Sequence, residues 1–220
     1  MIALILKEFL MNNPLDWQER LIINVRKNLY SIMALVFFVF AVMGIIEYRE
    51  VVQKNKNEQL SSMLINWKEL TDAGKFNEAA ELGQKMNAQF PGELISNLVQ
   101  SALAKRYIVE GKIDKAADIY NQLVKNCQGS ICDLYRLRLG LIYLNKEEPN
   151  NCIATLNTIK SPIYSTTQLL YLGDAYKQLG DNTQSYQLWE KAYKKIKKNT
   201  FNEVDKGLQE QLVFRLQTNR

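Results

Sequence analysis

Residues 28–46, NLYSIMALVFFVFAVMGII, form a run of 19 residues without a charge, closed by Lys27 on one side and Glu47 on the other. At 1.5 Å per helical residue the run reaches about 28 Å, close to the ~30 Å hydrocarbon core of a bilayer. A buried helix of a soluble domain is usually shorter and keeps a polar face, and none is visible here over five turns. A cleaved signal sequence would have a shorter apolar stretch and a small-x-small site followed by a compositional break, which the chain lacks. Tyr30 and Tyr48 stand at the two ends, where amphipathic rings favour the headgroup level. The sequence predicts a transmembrane helix over 28–48.

Residues 1–27 form a short segment ahead of this span. MIALILKEFL is too short to cross a bilayer and is interrupted by Lys7 and Glu8, and Met11 offers a second initiation point. Leu15, Leu21, Ile22 and Val25 suit a short amphipathic helix on the membrane surface. Arg20, Arg26 and Lys27 on one side balance Arg49, Lys54 and Lys56 on the other, so flanking charge does not orient the span. Residues 49–59 are charged and free of Gly and Pro, as a helical stalk would be.

From Leu60 onward a repeat emerges with copies starting at 60, 97, 133 and 166, at offsets of 37, 36 and 33 residues. The copy at 166–199 is the clearest, with Leu172-Gly173, Tyr176, Gly180, Trp189 and Ala192. The copy at 97–130 places Leu103-Ala104, Tyr107, Gly111, Ala116 and Tyr120 in the same slots. The copy at 133–166 supplies Leu139-Gly140, Tyr143, Cys152 and Leu156, with Glu147 where the turn glycine belongs. The copy at 60–93 supplies Leu70, Gly74, Ala79, Ala80 and Pro91 but lacks the Leu-Gly pair and the second-helix aromatic. Small residues at fixed places let paired helices approach, large ones fill the space between pairs, and a glycine ends the first helix. The expected fold is all-α: one N-terminal transmembrane helix, then a tetratricopeptide-type solenoid of four repeats over 60–199. Residues 200–220 close it, with Leu208, Leu212, Val213 and Leu216 on one face of a capping helix.

The chemistry available is narrow. The chain has no histidine, which removes the commonest general base and transition-metal ligand. Its three cysteines form no C-x-x-C pair, and no nucleophile motif appears. The reading is therefore a non-enzyme with no cofactor, metal or small-molecule substrate. From Arg49 onward 24 Lys and Arg face 19 Asp and Glu, a mild excess suited to an anionic lipid surface. Nucleic acid is not expected, because no aromatic-interleaved basic patch accompanies the charge.

Three features are candidates for function. Lys191, Lys194, Lys195, Lys197 and Lys198 form the densest basic run, either a solvated helix end or a contact for lipid or an acidic partner. Cys127 and Cys132 flank the turn between the second and third repeats, as a disulfide in an oxidising compartment or as two free thiols. Cys152 occupies a small-residue slot and reads as packing. The first helices of such arrays line a concave surface. Their second, fifth, ninth and twelfth positions give Leu98, Ser101, Lys105 and Ile108, then Leu134, Leu137, Leu141 and Leu144, then Thr167, Leu170, Asp174 and Lys177. The result is a partly apolar groove for a partner segment, unless its leucines are core or lie under the capping helix. It lacks the Lys/Asn cluster that clamps a terminal carboxylate in some chaperone-binding repeats.

The order of these parts, with AQFPGE (88–93), SALAKRYIVEGKIDKAADIY (101–120), LRLGLIYL (137–144) and YLGDAYKQLGD (171–181), resembles the YfgM family of bacterial inner-membrane proteins. The resemblance implies an N-terminus in the cytoplasm and repeats in the periplasm. It also implies association with the SecYEG translocon and the membrane-anchored chaperone PpiD, and a part in handing translocated clients to periplasmic chaperones. It brings no catalytic residues. Other readings of the same parts are a scaffold for a division or outer-membrane assembly complex, and a cytosol-facing repeat receptor.

Overall fold

The computed structural model describes residue 22, residues 28–198 and residues 203–218. Apart from Ile22, the expected N-terminal segment with its surface helix lies outside the described residues, as do 199–202 between the last repeat and the cap. Among the described residues every regular element is a helix. The chain divides into two units, Met1–Gln59 and Leu60–Arg220.

The first unit contains most of helix α1, Leu29–Asp72, whose last turns belong to the second unit. Every described side chain from Leu29 to Ile46 is exposed, including Phe37, Phe38 and Phe40. With a mean hydropathy of 2.6 over its most apolar window and none of that window buried, this helix is long and apolar enough to cross a membrane.

The second unit starts with the end of α1 and continues through α2 (Phe76–Gln89), α3 (Leu94–Val109), α4 (Ile113–Asn126), α5 (Ile131–Asn145) and α6 (Pro149–Leu156). A 3-10 turn at Pro162–Tyr164 leads into α7 (Ser165–Gln178), α8 (Asn182–Lys198) and α9 (Glu203–Thr218). The helices pair as α3 with α4, α5 with α6, and α7 with α8, while the end of α1 meets α2 through the side chains clustered around Met86.

One turn is used four times. The amides of Gly74 and Lys75 bond back to Thr71 and Leu70, those of Gly111 and Lys112 to Ile108 and Tyr107, and those of Gly180 and Asp181 to Lys177 and Tyr176. Glu147 and Glu148 repeat the pattern onto Leu144 and Tyr143. This is the 6→1 and 5→2 pairing that satisfies the last carbonyls of a helix when the next residue is left-handed. The three glycines have φ between 72° and 81°, and Glu147 is forced to 58°, the one described non-glycine with positive φ. The geometry of the turn outweighs the steric cost of a side chain at that position.

Small and large residues are matched within each pair. A Cβ at Gly140 would lie 2.6 Å from Leu156, and one at Gly173 would lie 2.4 Å from the Trp189 ring. Ala104 and Tyr120 hold the same slots between α3 and α4 and are both buried. The early second-helix position is small throughout: Ala79, Ala116, Cys152 and Ser185 are each 2% exposed or less. Burial in this slot pushes the Cys152 thiol up to about 12, with the Asp174 charge adding to the effect. The core is accordingly a row of four clusters along the stack, centred on Met86, Tyr120, Leu156 and Trp189. That is how a repeat array distributes its stability.

Candidate protein-binding surface

The groove expected along the first helices is not uniform, and the structure treats the pairs differently. At the C-terminal end, α9 lies over α7 and α8. Leu212 is fully buried against Leu170, Trp189, Ala192 and Ile196. The Asp174 carboxylate takes a two-pronged contact from Arg215, at 2.6 Å from Nε and 2.8 Å from Nη2. It also accepts the Trp189 indole N–H at 3.1 Å. Planar guanidinium against carboxylate fixes orientation as well as distance. The groove position Asp174 and the apolar Leu170 are thus already occupied by the chain's own last helix.

Leu170, Leu137 and Leu144 therefore do not line an open groove. Leu170 is 0% exposed, and Leu137 and Leu144 pack with Cys152, Leu156, Ile159, Leu172 and Ala175. The physical reason is that α5 is enclosed by α4, α6 and α7. The run LRLGLIYL is apolar around most of its circumference, the pattern of a helix packed on more than one side.

The apolar groove positions that stay open belong to the second and third pairs, whereas the fourth leaves Lys177 exposed. Leu98 is 56% and Leu141 38% exposed, Lys105 is exposed, and Leu134 is half-buried. Arg138, which the spacing of groove positions passes over, joins them. Its guanidinium donates to Ser101 Oγ at 3.1 Å and to Tyr120 Oη at 3.0 Å. Ser101 lies between Leu98 and Lys105 on α3, and Arg138 lies between Leu134 and Leu141 on α5. This bond links the two helices that carry these exposed side chains, a partly apolar, cationic strip.

The turn from α4 into α5 is fixed by two features. Cys127 and Cys132 are joined as a disulfide, with Cα atoms 5.5 Å apart. Asp133, 5% exposed, accepts from the amides of Lys160 at 3.1 Å and Ser161 at 2.8 Å and from Arg136 at 2.7 Å. Burial alone would push its carboxyl up, but the Ser161 amide, Arg136 and the Lys160 amide together hold it below the usual carboxylate range. Asp133 thereby orients α5, which carries half of the strip.

The basic run near the end of α8 is only partly free. Lys194 pairs with Glu190 at 2.8 Å, Lys197 stands 5.0 Å over the Tyr193 ring, Lys195 is half-buried and Lys191 is exposed. The Lys198 side chain lies outside the described residues.

Residues 26–213 match the tetratricopeptide repeat-like domain family. No curated protein matches the chain. Among solved structures, a set of nearly identical TPR-like repeats from Podosopora anserina is similar at TM-score 0.54 and 18% identity, over 73% of this chain and 86% of that one. A tetratricopeptide repeat protein from Parabacteroides merdae is similar at TM-score 0.53 and 14% identity, over 72% of this chain and 59% of that one. MamA is similar at TM-score 0.52 and 16% identity, over 74% of this chain and 91% of that one. At these identities the likeness is one of fold.

Proposed function

The chain belongs to the tetratricopeptide repeat-like domain family, a scaffold that binds other proteins, and on that premise we propose that it is a membrane-anchored, non-catalytic adaptor of the Sec translocon. Its repeats face the periplasm, its N-terminus the cytoplasm, and it links SecYEG to chaperones such as PpiD for the handover of translocated clients. The observation that carries a partner-binding role is the open strip of Leu98, Lys105, Arg138 and Leu141 beside a fourth repeat already covered by α9. The bare apolar helix supports the anchor, and the resemblance to YfgM proteins supports the translocon as the assembly.

The mechanism is tethering. A protein held in the same bilayer as its channel meets partner and client at a local concentration of millimolar order, so a weak strip suffices. Each contact can stay brief, which suits transfer from one chaperone to the next.

Purification of the full chain from membranes in mild detergent tests this reading. Translocon subunits and the anchored chaperone are expected with the wild-type protein. The double variant Leu98→Glu, Leu141→Glu should recover them at least several-fold less while melting at the same temperature, because both side chains are exposed. Recovery of division or outer-membrane assembly proteins without translocon subunits would defeat the proposal.

A further inference from the structure

The first repeat breaks the size rule that the other three obey. In those, the small residue of the first helix (Ala104, Gly140 or Gly173) faces a large one sixteen positions on (Tyr120, Leu156 or Trp189). In the first repeat the order is reversed, with Trp67 in the small slot and Gly83 in the large one. Gly83 is used differently as well: a Cβ there would meet Leu103 at 2.5 Å and Val99 at 3.0 Å, both on α3. The small residue thus brings the second repeat close, while Trp67 packs against the cluster of Leu60, Met86, Val99 and Leu103. A cleft of 210 Å³ remains between the end of α1, the start of α2 and the end of α3.

Trp67, Phe76, Leu103 and Tyr107 are the large apolar residues of its wall. The Trp67 indole N–H is buried and has no acceptor. At the mouth stand Arg106, Glu110, Lys112 and Lys115, three cations against one anion. Arg106 stacks 4.0 Å over Phe76 and meets Glu110 at 2.6 Å, and Lys112 meets the same carboxylate at 2.8 Å. The carboxylate is therefore neutralised in place. Lys115, 5.6 Å over the Tyr107 ring, adds to the positive excess.

We propose that this cleft seats one bulky apolar side chain of a partner protein segment that carries acidic residues beside that anchor. The inference rests on the protein-binding reading and adds a second, chemically specific contact to it. The volume is below the ~300 Å³ at which pockets for drug-sized molecules begin, and it suits a single Leu- to Phe-sized group. Trp, Tyr and Arg around a small apolar hole are the residues that dominate binding energy at protein interfaces. The cationic mouth selects acidic flanks.

The test uses the full chain in detergent with 5-fluorotryptophan at its three Trp positions, the 19F signals being assigned by Trp→Phe variants. The probe is Ac-Glu-Glu-Phe-Glu-Glu-amide, with the Ala-centred and the Lys-flanked peptides as controls. The expected result is a saturable shift of the Trp67 signal with Trp189 unmoved, and at least tenfold weaker response to either control. Ala102→Phe, which fills the cleft from an exposed position, and the pair Lys112→Glu, Lys115→Glu should each weaken the response tenfold or more. The charge-reversal pair decides the matter if Ala102→Phe misfolds. A silent Trp67 signal at millimolar probe, an equal response to the Lys-flanked peptide, or a response that survives in the charge-reversal pair would overturn the proposal. A silent Trp67 with normal recovery of translocon subunits removes the cleft alone, whereas lost recovery with a responsive Trp67 removes only the translocon reading.

Discussion

Asp133 shows how much one buried side chain decides in this protein. Its two oxygens hold Arg136 and the amides of Lys160 and Ser161, tying the start of α5 to the chain entering α7. Asp133→Ala leaves two amides and a guanidinium without their acceptor, so a loss of about 2–3 kcal/mol is expected in urea unfolding. The pH dependence follows from the direction of the shift. A carboxyl held below its usual range in the folded state contributes stability above the unfolded value of about 4, and that contribution is lost as pH falls through the lower folded value. The wild-type protein should therefore lose more stability on acidification below about pH 4 than Asp133→Ala does. Equal acid sensitivity in both would show that this carboxylate is not a source of the pH dependence. The sequence offered Asp133 only as the first residue of a repeat. Its two amide partners lie 27 and 28 residues away, beyond the reach of helical spacing.

At the scale of the element, α9 is more than an end piece. An array exposes the face of its last pair unless something covers it, and here that face comprises Leu170, Trp189, Ala192 and Ile196. Leu212→Ala should cost about 3 kcal/mol, in the range for a leucine that is fully enclosed. The loss should be local. Amide hydrogen exchange is expected to speed up in α7, α8 and α9 with little change in α4, because neighbouring repeats interact only pairwise. Uniform acceleration across the second unit would mean that the repeats unfold as a single block. The capping helix itself was legible from four apolar residues on one face of 200–220. Its grip on Asp174 was not, because Arg215 lies 41 residues further along the chain.

At the scale of the whole molecule, a bare apolar helix and a helical-repeat unit share one chain, and the cysteines report on the compartment of the second. A disulfide between Cys127 and Cys132 leaves Cys152 as the one thiol, buried and with its ionisation suppressed. With material taken directly from cells, iodoacetamide should add nothing to the folded protein, one adduct after unfolding without reductant, and three after unfolding with reductant. Three adducts without reductant would show Cys127 and Cys132 as free thiols and count against the proposed periplasmic location. Protease added to spheroplasts checks the same point independently, since repeats facing outward should be cut before lysis.

The uncharged run at 28–46 and the four-fold period from Leu60 determined the all-α class, the candidate span and the helix pairs. They could do so because a helix writes its own spacing into the chain: apolar length, turn residue and small slots are all local. Even Glu147 was readable as an exception, and its left-handed backbone follows from the turn it occupies. Three things were left to the tertiary structure. It put Leu137, Leu144 and Leu170 inside while leaving Leu98 and Leu141 outside, laid α9 over the fourth repeat, and opened a cleft beside Trp67. Spacing tells which residues share a face of a helix. Whether that face meets water or another helix depends on residues far away in the chain, and burial is decided only once they arrive.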